Sequence, residues 1–135
     1  MANVLLLDDD FVLAQDYKEA LEKAGHDITV THTGLDAVNY CADRKFDILI
    51  LDVFIKRGQS IASDGGLYCI SQLRHNRTQR FVTSTNVPII AISGAYSVKL
   101  NNLPLQSALT LGANATLTKP LNLNELIERI SRFCV

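Results

Sequence analysis

The chain has 135 residues, 13 of them basic and 14 acidic, for a formal net charge of −1. With 47% hydrophobic and 20% charged residues it has the composition of an ordinary globular domain, which argues against disordered and fibrous classes. So small a net charge gives no electrostatic ground for binding nucleic acid or a membrane surface, and any partner must be recognised locally.

At this length roughly two-thirds of the unfolded chain's surface can be buried. No Pro/Gly-rich linker or internal repeat divides the sequence, so residues 1–135 are expected to form a single domain. The N-terminus "MANVLLLDDD" has no basic region and meets acid before an apolar run is complete. No stretch approaches the roughly 18 apolar residues of a membrane span. Cys41, Cys69 and Cys134 are odd in number, far apart and without zinc-ligand spacing, so they read as buried or half-buried thiols. Together these features point to the cytoplasm.

The first apolar run, Val4 to Leu7, is followed directly by Asp8, Asp9 and Asp10. Leu13, Tyr17, Leu21 and Ala24 then share one helical face, and Gly25 stands where a helix end needs a left-handed residue. Asp10, just before this helix, reads as its N-cap. A second run, Ile28 to Val30, precedes a helix after Thr33. The third, Ile48 to Leu51, ends in Asp52, and a long segment leads to a helix after Gly65. The fourth run, Ile89 to Ile92, ends in Ser93, and a second long segment precedes a short helix from Leu105 to Leu111 that stops at Gly112. The fifth, Ala115 to Leu117, leads to Lys119-Pro120. Asn122 then caps the last helix, with Glu125 at the capping-box position and Leu121 and Leu126 as the staple.

Runs such as "VLLL", "ILIL" and "IIAI" do not alternate apolar with polar, the pattern of strands covered on both faces. The predicted fold is therefore α/β: a doubly wound (βα)5 chain with a five-stranded parallel sheet, flavodoxin-like in strand order 2-1-3-4-5. In that order the first and third strands are neighbours, so Asp8, Asp9 and Asp52 converge at the C-terminal edge of the sheet, where open α/β sheets bind ligands. Clustered carboxylates are unfavourable alone and favourable around a hard cation such as Mg²⁺. Ser93 and Lys119 reach the same edge, a hydroxyl and a point cation suited to phosphoryl oxygens.

An acidic pair after strand one, Asp after strand three, Ser after strand four and Lys-Pro after strand five, in that order, resembles the CheY-like receiver domain of two-component response regulators. The resemblance runs from Val4 to Phe133. It implies that Asp52 is the phosphoacceptor, that Asp8, Asp9, Asp52 and the backbone carbonyl of Phe54 hold Mg²⁺, and that Ser93 and Lys119 contact the phosphoryl oxygens. A cis Lys119-Pro120 bond is implied as well. The phosphodonor would be a sensor histidine kinase or histidine phosphotransfer protein, and the output a change in binding to a downstream protein target. The fourth helix, fifth strand and fifth helix would form the responding face, with no direct role for nucleic acid or membrane. On this reading the chain is no enzyme, assisting only its own phosphorylation and dephosphorylation.

The sequence departs from the family pattern in two places. Thr116 stands where a Tyr or Phe switch is usual, and Tyr96 is a candidate for a related part. The segment after Asp52, with Lys56 to Ser63 inserted before Asp64-Gly65, lacks the usual proline. Phe54 and Tyr96, each two or three residues beyond a site group, imply slow loss of the phosphoryl group by excluding attacking water.

Lys56 and Arg57 read as part of a solvated loop. Arg74, His75, Arg77 and Arg80 read as a solvated basic stretch, and His26, His32 and His75 have no partner at telling spacing. Two other functions fit some of the residues. "DDDFV" also resembles the signature of haloacid-dehalogenase-like phosphatases, with Asp8 as nucleophile, Asp10 as general acid, and Ser93 and Lys119 as the later motifs. A receiver-like interaction module that accepts no phosphate is the third reading. Whether the chain stands alone or belongs to a longer one is open at the level of sequence.

Overall fold

The computed structural model describes residues 1–53, 56–57, 60–61, 65–94 and 103–134. In chain order the elements are β1 (Asn3–Leu7), α1 (Phe11–Lys23), β2 (Asp27–Thr31), α2 (Gly34–Asp43), β3 (Ile48–Asp52), β4 (Lys56–Arg57), β5 (Ser60–Ile61), α3 (Gly66–His75), β6 (Ile89–Ser93), α4 (Leu103–Leu111), β7 (Ala115–Thr118) and α5 (Leu123–Phe133). Five strands form one parallel sheet in the order β2-β1-β3-β6-β7, which is the predicted 2-1-3-4-5. The register places Leu51 opposite Leu7 and Asp52 opposite Ile92, so the ends of β1, β3 and β6 lie side by side.

Both faces of the sheet are covered, as the unbroken apolar runs require. Leu5, Leu7, Leu49, Leu51, Ile89 and Ala91 pack against α2, α3 and α4 through Val38, Cys41, Ile70, Leu73 and Ala108. Val4, Leu6, Ile48, Ile50, Ile90 and Ile92 pack against α1 and α5 through Ala14, Tyr17, Leu21, Leu126 and Ile130. Successive strand side chains point to opposite faces, so each strand contributes to both cores. Fully burying one Leu or Ile contributes about 1.5–3 kcal/mol, and this repeated burial drives the fold.

Several of the predicted helix signals are observed. Asp10 caps α1, its side chain accepting from the amides of Val12 and Leu13, and Gly25 takes a φ of 96° just past the helix. Thr33 caps α2 and Asn122 caps α5, the latter accepting from the amide of Glu125. Gly112 closes α4 with a φ of 125°. Cys41 and Cys69 are buried and Cys134 half-buried, all as free thiols. Between β3 and α3, the backbones of β4 and β5 pair antiparallel, a ladder that sequence reading does not anticipate in a segment read as loop. Among the described residues no helix is long and apolar enough to cross a membrane.

The basic stretch after α3 departs from expectation. Arg77 and Arg80 are exposed, but Arg74 turns back across the N-terminal edge of the sheet. Its guanidinium donates to the carbonyls of Gly112, Thr85 and Val87 and to Oδ1 of Asn114. Burial lowers its pKa, yet a guanidinium stays charged under all ordinary conditions. His75 Nε2 lies 3.0 Å from the Leu111 carbonyl at the end of α4. Nearby, Thr83 is fully buried. Its hydroxyl accepts from the Phe46 amide and donates to the Arg44 carbonyl, clipping the segment before β6 onto the end of α2.

Candidate metal and phosphoryl site

β1 delivers Asp8 and Asp9 to the C-terminal edge of the sheet. The Asp8 amide continues the β1–β2 pairing by donating to the Thr31 carbonyl at 3.1 Å. Asp8 Oδ1 accepts from the Asp10 amide at 2.9 Å, folding the acidic run into a tight turn. Consecutive aspartates therefore separate into different tasks: Asp8 and Asp9 face the pocket, and Asp10 faces the helix amides. With Asp10 acting as a cap, it is not placed as the general acid that a phosphatase of the haloacid-dehalogenase type needs. His32, which has no telling partner in sequence, supports this turn through Nδ1, 2.8 Å from the Asp8 carbonyl. A carbonyl only accepts, so Nδ1 carries the proton. The imidazole also stacks on Phe11, with ring centroids 3.9 Å apart.

β3 delivers Asp52, 2% exposed, and β6 delivers Ser93, fully buried. The Val53 amide donates to the Ile92 carbonyl at 2.9 Å, holding these two strand ends together. β7 leads to Lys119, whose amide donates to the Ser93 carbonyl at 2.7 Å. The Lys119-Pro120 bond is cis, as the resemblance implied. The ammonium Nζ stands 2.7 Å from Asp52 Oδ2 and 2.7 Å from Asp8 Oδ2. Burial alone would lower the pKa of this lysine, but the adjacent carboxylates, Asp52 foremost and then Asp8, more than offset it and raise the value. Lys119 is thus held as a cation inside the pocket.

Asp8, Asp9 and Asp52 each offer a carboxylate oxygen, and these oxygens lie within 4.8 Å of one another. Two like charges about 4 Å apart repel by about 4 kcal/mol at an effective dielectric constant near 20. Among the described residues one ammonium, that of Lys119, faces these three carboxylates, a donor set with room for a further cation. The polar atoms say the same. Among the described residues, the buried side-chain oxygens without a hydrogen bond are Asp8 Oδ2 and Ser93 Oγ. The Lys119 contact with Asp52 has hydrogen-bond direction. Asp8 Oδ2 is ion-paired with the same ammonium at 2.7 Å, and a carboxylate oxygen has more than one lone pair, so it can still ligate a cation. An oxygen cluster with open lone pairs fits a small hard cation that takes octahedral oxygen ligands.

The structure thus brings together the side chains of Asp8, Asp9, Asp52 and Lys119, and places Ser93 at the same strand edge, joined to Lys119 through the backbone. Phe54, Tyr96, Asp64 and most of the inserted segment, Lys56 to Ser63, lie outside the described residues, as do the side chains of Lys56 and Arg57. Thr116 is half-buried on β7, opposite Ala91.

Comparison with known proteins agrees with this geometry. Residues 4–131 match the family described as the response regulator receiver domain. Transcriptional regulatory protein CrdR of Helicobacter pylori is 32% identical over 130 residues, covering 96% of this chain and 54% of the relative. Transcriptional regulatory protein CpxR of Escherichia coli is also 32% identical, over 96% of this chain and 48% of its own. The chain spans about half the length of these curated relatives. Among solved structures, the Francisella response regulator 1452 receiver domain superposes with a TM-score of 0.75 at 27% identity, covering 98% of this chain and 96% of that one. A putative response regulator from Chloroflexus aurantiacus shares the fold, with a TM-score of 0.78 at 21% identity over 98% of this chain and 97% of its own.

Proposed function

Because the chain belongs to the response regulator receiver domain family, we propose that it accepts a phosphoryl group on Asp52 and uses the resulting acyl phosphate to switch the binding of a partner protein. In this reading residues 1–135 act as one receiver unit in the cytoplasm. A histidine kinase or histidine phosphotransfer protein presents a phosphohistidine at the C-terminal edge of the sheet. A carboxylate oxygen of Asp52 attacks phosphorus in line, the P–N bond to the donor imidazole breaks, and the product is an aspartyl phosphate.

Asp8, Asp9 and Asp52 would hold Mg²⁺ through their side chains, and Phe54 through its carbonyl. When bound, the ion neutralises charge on the transferred group. The remaining work falls to the chain's own atoms. Lys119, already paired with Asp52, stays in the pocket as the carboxylate is phosphorylated and passes its hydrogen bond to a phosphoryl oxygen. Ser93 donates its unpaired hydroxyl to another. Rotation of that hydroxyl toward the phosphoryl biases the neighbouring face of α4, β7 and α5 toward a different partner. With Thr116 on β7, this switch runs without an aromatic side chain at that position.

The observation that supports the proposal is the cluster of Asp8, Asp9 and Asp52 carboxylates around the Lys119 ammonium, with the buried Ser93 hydroxyl unbonded at the end of the neighbouring strand β6. Its test is intact-mass spectrometry after incubation with acetyl phosphate and Mg²⁺. One phosphoryl group is expected on the unaltered protein and none on Asp52→Asn. An unmodified wild-type chain would point to the interaction module, and hydrolysis of p-nitrophenyl phosphate that survives Asp52→Asn but not Asp8→Asn would point to the phosphatase.

A further inference from the structure

Gly66 opens α3 directly behind the phosphoacceptor. A Cβ at this position would stand 2.5 Å from the Asp52 carbonyl oxygen, 2.9 Å from the Asp52 carbonyl carbon and 3.1 Å from Val53 Cα. All three are backbone atoms. Gly66 does not share the positive φ of Gly25 and Gly112, so its missing side chain provides room rather than a special conformation. By contrast, a Cβ at Gly94, just after Ser93, would meet nothing within 4 Å.

Neither side of this contact can yield without cost. The end of β3 is fixed by the Val53–Ile92 hydrogen bond and by pairing on both edges. α3 is fixed by Cys69, Ile70 and Leu73, which are buried against the sheet. A side chain at position 66 must therefore displace either the helix or the strand end, and the strand end carries the carboxylate. Asp52 reaches Lys119 at 2.7 Å and shares a 4.8 Å cluster with Asp8 and Asp9, distances that a shift of a few tenths of an ångström disrupts.

Resting on the receiver reading above, we infer that Gly66 is a positioning residue for the phosphoacceptor: its lack of a side chain lets α3 pack against the Asp52 peptide and sets where the Asp52 carboxylate stands relative to Asp8, Asp9 and Lys119. The role is transmitted through the backbone, since Gly66 has no group to offer a ligand. It also makes the start of α3 a mechanical partner of the site, so that displacement on one side is felt on the other.

Calorimetric titration of the whole chain with MgCl₂ tests this, because it reports the dissociation constant separately from the fraction of molecules that bind. Gly66→Ala is expected to weaken Mg²⁺ by about 10–100-fold, the range found when groups that orient metal ligands are altered, while Gly94→Ala binds as the unaltered protein does. A merely structural role for Gly66 would lower the binding fraction and leave the constant unchanged, and that result would overturn the inference. Should Gly66→Ala fail to fold, the unaltered protein still decides: the Gly66 amide resonance is expected to move on addition of Mg²⁺ with beryllofluoride while that of Gly25 stays put. A stationary Gly66 amide would overturn the inference. Absence of Mg²⁺ binding by the unaltered protein would instead remove the receiver reading on which it rests.

Discussion

The two ends of the sheet treat buried and half-buried polar groups in opposite ways. At the N-terminal edge, Arg74 meets three carbonyls and a side-chain amide, and the Thr83 hydroxyl both donates and accepts. At the C-terminal edge, among the described residues, Ser93 Oγ has no hydrogen bond and Asp8 Oδ2 has only its ion pair with Lys119, the ammonium that faces the three carboxylates. A buried polar group kept for stability is satisfied inside the fold, because leaving it unpaired costs about 1–3 kcal/mol. One left open in an otherwise well-satisfied molecule marks a place where something from outside completes the structure.

The sharpest way to break this contrast is to remove Lys119, the cation that pairs with Asp8 and Asp52. Lys119→Met leaves the carboxylates of Asp8 and Asp52 buried without compensation, and losing one partner of a buried pair typically costs about 3–5 kcal/mol. Urea unfolding in the absence of Mg²⁺ should show that loss, and added Mg²⁺ should recover part of it. In the unaltered protein the Lys119 pKa is raised by folding, so its contribution is complete below the ordinary lysine value of 10.5 and is lost as pH rises through the folded-state value. Stability measured between pH 7 and 9 should therefore show no loss from this group.

Arg74→Leu attacks the satisfied edge. It forfeits charge-assisted hydrogen bonds and strands the carbonyls that accepted them, for an expected loss of about 2–3 kcal/mol in urea unfolding. The Mg²⁺ response should be untouched. The smallest effects give the finest comparison, between two buried hydroxyls. Thr83→Val removes a hydroxyl with two partners and should cost about 1–2 kcal/mol. Ser93→Ala removes one with none and should fall within about 0.5 kcal/mol of the unaltered protein, or above it, while slowing phosphorylation by acetyl phosphate. Equal destabilisation by the two would erase the distinction.

Much of this was legible in the residues because one physical rule linked pattern to place. Strands buried on both faces read as "VLLL", "ILIL" and "IIAI", which implied a parallel sheet, and the residue ending each run then had to lie on one edge. Asp8, Asp9, Asp52 and Ser93 follow from the ends of those runs and Lys119 lies just past the fifth, while their convergence follows from the strand order 2-1-3-4-5. What escaped were contacts made by residues whose type points the other way. Arg74 looked solvated because charge usually is, and nothing local to "LRHNR" reveals the carbonyls of Thr85, Val87 and Gly112 that it reaches across the fold. His32 carries no signal in the sequence because its partner is the Asp8 main-chain carbonyl, which no side-chain spacing encodes. Gly66 carries no signal in the sequence, where the helix is expected after Gly65, and only the close approach of α3 to Asp52 gives it meaning.

The central claim, that the open oxygens of the C-terminal edge await a cation, is tested most directly by the dependence of unfolding free energy on Mg²⁺ concentration. Binding to the folded state alone stabilises it by RT ln(1 + [Mg²⁺]/Kd), about 2.7 kcal/mol at a concentration 100-fold above Kd. The account predicts that rise for the unaltered protein and for Arg74→Leu, and its loss in Asp8→Asn and Asp52→Asn. An unfolding free energy that stays flat from no Mg²⁺ to millimolar Mg²⁺ in the unaltered protein would contradict it.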